Sequence, residues 1–292
     1  MARLDQRHPA NVAGDWFVDT RCIDCDSCRI LAPDLFGESG YQSVVAHQPS
    51  SPSDAHRAWL AAEACPTQSI GTAARPRQRA PADLYPSPLT DDVYLCGHHA
   101  ESSFGACSYL MVRPGGNLLV DAPRFTRRLV GPIRGLGGIA HVLLTHRDDV
   151  ADAGRYADAF GARVWIHADD RRAAPFATDV VPGLDEAVVA PDVTAVPVPG
   201  HTQGSMLFVV DERYLFSGDS LAWDRQRGDL TAFRGACWYS WTAQTESLQR
   251  LWRSDHRFGW VLPGHGDRVH RAAPELHDRL GDLTARMAGI SA

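Results

Sequence analysis

From residue 93 onward the chain alternates short apolar runs with polar stretches rich in glycine and proline. Apolar residues over 108–112 and 117–121 flank Arg113-Pro114-Gly115-Gly116, a pattern that predicts a β-hairpin. Val142-Leu143-Leu144 predicts a buried strand, and the residues after it predict a helix over 150–160 that ends before Gly161. Further strands are expected over 163–167, 206–210, 214–216 and 259–262, with helices over 124–136, 242–253 and 274–287. Residues 74–90 break the pattern. They hold four prolines and few large apolar residues, which favours an extended spacer over a packed element. The expected organisation is therefore a domain over 1–73, a linker over 74–90 and a domain over 91–292.

The ends of the expected strands carry the chemistry. Leu144 leads into Thr145-His146, with Asp148, Asp149 and Asp152 close behind. Pro199-Gly200 leads into His201, Ser217-Gly218 into Asp219, and Pro263-Gly264 into His265. The carboxyl ends of strands in an open α/β sheet face the crevice where ligands bind. A lone histidine there is ordinarily a satisfied surface or core residue. Four repeats of one placement, most beside glycine, point instead to a shared site, and imidazoles with carboxylates suit a metal. A helix starting near Asp149 would put Asp149 and Asp152 on one face, with helix capping as the competing role. His167, at another strand end, is a candidate support for the pocket. Trp238, Tyr239 and Trp241 are candidates for a substrate wall, against burial in the core. His98 and His99 read as surface or hydrogen-bonding histidines, and Cys96, Cys107 and Cys237 as buried thiols.

The N-terminal piece follows another logic. Cys22-Ile23-Asp24-Cys25-Asp26-Ser27-Cys28 is a C-x2-C-x2-C run, and Cys65-Pro66 follows it at a distance. In bacterial ferredoxins the run continues x3-C-P, its fourth cysteine serving the other cluster of a two-cluster protein. Here Ala32-Pro33 stands at that place, so Cys65 is left to complete a four-cysteine set for one [4Fe-4S] cluster. Zinc competes for C-x2-C motifs, but zinc sites usually pair two such motifs, and a lone Cys-Pro favours the cluster. Over about residues 14 to 73 the chain resembles single-cluster bacterial ferredoxins.

Residues 92 to about 270 resemble the metallo-β-lactamase-fold superfamily through Gly105-Ala-Cys-Ser-Tyr109, Leu143-Leu-Thr-His146, Pro199-Gly-His-Thr-Gln-Gly-Ser205, Phe216-Ser-Gly-Asp219 and Leu262-Pro-Gly-His-Gly266. The resemblance implies an α+β chain: a small ferredoxin-like domain followed by an αββα sandwich with a metal site at one edge. By the same resemblance, His146 and His201 would bind a first metal with Asp148 as a third ligand. Asp219 would bridge or bind beside it, and His265 with Asp152 or Asp149 would hold a second. The first metal motif of the family reads H-x-H-x-D-H, and here Asp148 replaces the second histidine while Val150 and Ala151 fill the last two places. In a second register Asp152 plays the aspartate and Ala153 replaces the final histidine. One metal, two metals, and a pocket that kept its shape but lost its metal all stay open. The donor set suits zinc, iron or manganese.

Composition narrows the partners. The net charge is -6, which gives no basic surface for nucleic acid or membrane. All 29 basic residues are arginine. No apolar run approaches the ~20 residues of a membrane span, and the N-terminus lacks a signal core, so a cytoplasmic protein is expected. Its seven cysteines there read as metal ligands or free thiols. Three functions follow. The first is metal-assisted hydrolysis of a small-molecule ester, thioester, amide or phosphoester, with Asp219 or Asp149 orienting the water. The second is a redox reaction in which the cluster exchanges electrons with an iron in the same pocket or with a partner protein. The third is electron transfer or sensing without catalysis.

Overall fold

The computed structural model describes residues 2–74 and 80–289. The chain forms two compact units, Met1–Val112 with Pro123–Gly138, and Arg113–Ala122 with Ile139–Ala292.

In the first unit, β1 (Trp16–Val18) pairs antiparallel with β4 (Ile70–Thr72), and β2 (Phe36–Glu38) with β3 (Ser43–Val45). Helices α1 (Ser27–Leu31) and α2 (Pro52–Ala64) complete this part. Ser51 starts α2 by accepting a bond from the Asp54 amide at 3.1 Å, and Pro52 fills the first turn, where no amide proton is needed. The buried face of α2 is alanine (Ala58, Ala61, Ala64), which lets it close on a core that contains Phe36, Val45 and two of the cysteines, Cys28 and Cys65. Three more strands, β5 (Ser87–Pro88), β6 (Val93–Leu95) and β7 (Tyr109–Met111), run antiparallel in that order, and α3 (Arg127–Gly135) belongs to the same unit.

The stretch expected to be a spacer packs from Leu84 onward. Leu84 and Tyr85 are buried, and the Tyr85 hydroxyl donates to the Leu60 carbonyl at 2.9 Å. Two large apolar groups in an otherwise proline-rich segment supply the burial that a spacer would lack. Residues 75–79 of that linker lie outside the described residues.

In the second unit, β8 (Leu118–Val120), β9 (His141–Leu143), β10 (Arg163–His167) and β11 (Asp179–Val181) run parallel in that order. A six-stranded sheet has the order β12 (Ala187–Ala190), β13 (Val193–Pro197), β14 (Met206–Val210), β15 (Tyr214–Gly218), β18 (Trp260–Pro263), β19 (Val269–His270), and only β15 and β18 are parallel. A separate ribbon joins β16 (Ala222–Asp224) to β17 (Asp229–Thr231). Every residue of β14 and β15 is buried, as unbroken apolar runs require of central strands. Helices α5 (Trp241–Arg253) and α6 (Ala273–Gly289) set Leu248, Leu251, Leu276 and Leu280 against Leu215 and Val261 of this sheet. Phe208 faces Phe216 across β14 and β15, both fully buried. Phe208→Ala is therefore expected to destabilise the unit by about 3–5 kcal/mol, read as a lower urea midpoint.

The helix expected from Val150 starts later. Arg147–Asp149 forms a 3-10 turn, Ala151 adopts φ 38°, and α4 runs from Ala153 to Phe160 before Gly161 closes it. The left-handed Ala151 breaks the register, so Asp149 and Asp152 do not share a helical face.

His256 adds a pH-dependent contact. It lies 3.0 Å from Glu186 and 3.1 Å from Glu212. Burial alone would lower its pKa, but the two carboxylates raise it above the ordinary value. A raised folded pKa gives stability that is present below the unfolded value, near 6.5, and is lost as pH climbs through the folded one. His256→Gln should accordingly lose more stability at pH 6 than at pH 8, measured as the gap in urea midpoint from the parent protein.

Candidate metal centre and cluster pocket

The metal centre is built in the second unit from strand ends. β9 leads to Thr145 and His146, whose ring is buried. The Thr145 hydroxyl lies 2.9 Å from both the Asp121 carboxylate and Nδ1 of His146. Burial raises Asp121 above the usual carboxylate range, with the charge of Asp219 nearby adding to it against the bonds from Thr145. When ionised, the Asp121 carboxylate only accepts, so the single hydroxyl proton goes to Asp121 and the oxygen accepts from Nδ1–H of His146. Nε2 of His146 then carries the lone pair. Burial holds His146 down at about 4, which keeps the ring neutral near pH 7.

His201 reaches the same arrangement by another route. Its Nδ1 donates to the Ala236 carbonyl at 2.5 Å, which again leaves the lone pair on Nε2. The two rings meet edge to face at 4.6 Å. Both Nε2 atoms are buried without a hydrogen-bond partner, and both lie 3.7 Å from Oδ2 of Asp219. Burial opposes the charge of Asp219, but His265, His146 and His201 together hold its carboxyl well below the usual range. His265 donates from Nδ1 to Asp219 at 2.9 Å.

Two donor groups result. One donor atom each from His146, His201 and Asp219 falls within 4.8 Å of the others, and the same holds for Asp149, Asp219 and His265. Asp149 is buried. A Cβ on Gly264 would lie 2.8 Å from Oδ2 of Asp149 and 2.9 Å from Oδ1 of Asp219, so only glycine leaves room between the two carboxylates. Buried imidazoles with bare Nε2 atoms, beside carboxylates that share one space, fit a divalent metal.

The remaining expected residues fall as follows. Asp148 is half-exposed at the rim, with Oδ2 3.3 Å from Nε2 of His201 and 4.0 Å from Nε2 of His146. Asp152 is in neither donor group and lies 3.7 Å from Arg155. His167 is buried, with Nε2 2.8 Å from the Gly183 carbonyl and Nδ1 accepting from the Asp169 amide. Trp238 and Tyr239 are exposed, and the Trp238 ring lies 6.2 Å from that of His201. Trp241 instead is the first residue of α5 and packs on the core. Cys237 is half-buried, its thiol donating to the Gly200 carbonyl at 3.1 Å. Sequence reasoning missed Asp121, Thr145 and Asp170. Buried Asp170 accepts from the Arg147 amide at 3.0 Å and the Thr202 hydroxyl at 2.6 Å, which clamps the His146 turn to the His201 loop. Only the double acid Asp169-Asp170 after a strand end could have signalled it.

In the first unit Cys22, Cys25, Cys28 and Cys65 line one pocket with Val18, Ile23 and Ile70, and all four are free thiols. Asp24 and Asp26, both left-handed, wrap the run around it. Burial pushes Cys25 up to about 11 and raises Cys28 and Cys65 as well. Backbone amides of Ser43 and Ser69 point at the sulfurs of Cys22 and Cys65 at 3.3 Å. Buried thiols that repel one another as thiolates, yet already receive amide donors, are suited to cations that take their protons' place. Four sulfurs without imidazole fit an iron–sulfur cluster.

Residues 91–287 match the family described as the metallo-beta-lactamase superfamily, and the chain belongs to that superfamily. Residues 18–72 match the 4Fe-4S single cluster domain of ferredoxin I. Among solved structures, the chain is similar to the DIM-1 metallo-beta-lactamase exposed to ceftazidime, at 18% identity over 68% of this chain and 95% of that one, TM-score 0.52. It is also similar to FIM-1 from Pseudomonas aeruginosa in its mono-zinc form, at 16% identity over 70% and 96%, TM-score 0.52. A metallo-beta-lactamase from Erythrobacter litoralis aligns at 18% identity over 68% and 95%, TM-score 0.52. At these identities the likeness is one of fold, and the α+β architecture with its αββα sandwich follows from it. No curated protein matches the chain. Among the described residues, no helix is long and apolar enough to cross a membrane.

Proposed function

We propose that the chain is a metallo-hydrolase for a small ester, thioester, amide or phosphoester, carrying a [4Fe-4S] cluster on Cys22, Cys25, Cys28 and Cys65. Membership of the superfamily supports a metal-dependent, hydrolase-like function. The observation that carries the finer reading is the pair of buried imidazoles, each with an unbonded Nε2 3.7 Å from Oδ2 of Asp219. His146, His201 and Asp219 would hold one metal, and Asp149 and His265 would share Asp219 to hold another. A metal so held would lower the pKa of bound water to ~7 and polarise the bond to be cleaved. Buried Asp149 would orient that water, and the half-exposed carboxylate of Asp148 would accept a proton and pass it to solvent. Trp238 and Tyr239 offer an apolar wall to the substrate outside His201.

The test is hydrolysis of p-nitrophenyl esters, p-nitrothiophenyl thioesters, p-nitroanilides and p-nitrophenyl phosphoesters by the full chain, before and after chelation and after return of zinc, iron or manganese. Metal-restored turnover on one class supports the reading. No turnover on any class, with metal bound at full stoichiometry, sinks it. One observation favours a redox alternative: two imidazoles and one carboxylate form the donor set of mononuclear iron sites. Iron retained at the histidine site, with a redox-dependent signal, would select that alternative.

A further inference from the structure

Residues that come long after the cysteines in the chain pass close to two of them. Residues 98–105 fall between β6 and β7, within the same compact unit and within the stretch matched by the metallo-beta-lactamase superfamily. The His99 amide donates to the carbonyl of Ala64, the residue before Cys65, at 3.1 Å. Gly105 has φ +86°, and a Cβ there would lie 2.8 Å from Sγ of Cys25 and 3.3 Å from Cγ of Pro66. The segment thus spans from the three-cysteine run to the remote cysteine, and glycine is required where it passes closest.

A hydrogen-bond chain enters the pocket from this segment. Nδ1 of His99 lies 3.0 Å from Oγ of Ser27, which in turn lies 3.0 Å from the Gly105 carbonyl and 3.3 Å from Sγ of Cys25. Ser27 and His99 are buried. A cluster-bound cysteine sulfur has no proton and can only accept, as does the carbonyl. Ser27 has one proton, which it can share between those two acceptors in a three-centre bond. Its oxygen must then accept from Nδ1–H of His99, which fixes that tautomer.

We propose that residues 98–105 cap the cluster and that the chain His99–Ser27–Cys25 sets its reduction potential. A hydrogen bond to a ligand sulfur favours the reduced, more negative cluster, and cover from solvent tunes the potential too. His99 and Ser27 are positioning residues, since only the cysteines touch iron. The inference rests on the reading that the four cysteines hold a cluster.

The test uses the full chain as parent, Ser27→Ala, His99→Leu and His99→Asn. Each is assayed for iron, acid-labile sulfide, midpoint potential by mediated titration, and rate of bleaching in air. Asparagine can place an amide N–H near the position of Nδ1, whereas leucine cannot. Ser27→Ala and His99→Leu should keep their clusters, bleach faster, and reduce with an equilibrium constant lower by up to about tenfold, which is 59 mV for a one-electron couple. His99→Asn should stay near the parent. If Ser27→Ala does not fold, His99→Leu against His99→Asn decides. Full clusters at one unchanged potential in all variants would overturn the cap. A parent without iron and sulfide would overturn the cluster reading beneath it.

Discussion

His201→Ala is expected to empty the histidine–carboxylate site and to lower hydrolytic turnover by more than about 100-fold. Even groups that merely orient a metal ligand are worth about 10–100-fold in affinity or activity, and His201 is one of three donors in its group. Its loss leaves Nε2 of His146 facing Asp219 with no second imidazole. Asp148 is a poor replacement, because its carboxylate is half-exposed and belongs to neither donor group. The measurement is metal per chain by elemental analysis, alongside turnover on the substrate class found for the parent. The melting temperature serves as a control, since the ring also bonds the Ala236 carbonyl. A variant that keeps stoichiometric metal and parental turnover would move the site elsewhere.

Cys25→Ser should remove the visible absorbance and acid-labile sulfide of the cluster while leaving the histidine site loaded. Cys25 lines the same pocket as Cys22, Cys28 and Cys65, and serine supplies a harder, poorly ionised ligand in its place. A four-cysteine set has no spare, so about four iron and about four sulfide should fall together. Zinc in the parent protein without sulfide would restore the zinc reading of the C-x2-C run. Unchanged iron and sulfide in the variant would exclude Cys25 as a ligand.

Much of the fold was legible because the pattern is strong where burial is complete. Residues 163–167 and 206–210 are expected as strands and form β10 and β14, the second an unbroken buried run. The start of α4 was not legible, since a left-handed alanine at 151 has no mark in the sequence. The placement of His146, His201, Asp219 and His265 at strand ends could be read from the apolar runs before them, three of the four directly behind a glycine. The lone-pair direction of each imidazole could not. It depends on partners far away in sequence: Asp121 acting through Thr145, and the carbonyl of Ala236. Asp149 and Asp152 looked equivalent on a helical wheel, and the turn at Ala151 separates them, sending one toward Asp219 and the other toward Arg155. His98 and His99 read as surface or hydrogen-bonding residues; both are buried in the first unit, and His99 is hydrogen-bonded to Ser27.

The close approach of Gly105 to Cys25, and of His99 to Ala64, has a consequence for the growing polypeptide. Forty residues separate Cys65 from Gly105. At roughly 5–20 residues per second of synthesis, the last thiol emerges from the ribosome roughly 2–8 s before the segment that will lie over it. During that interval the nascent pocket is open to whatever delivers iron and sulfide. With the proposed cap in place, exchange at Cys25 would be slower once residues 98–105 have followed, and loading would be easiest before then.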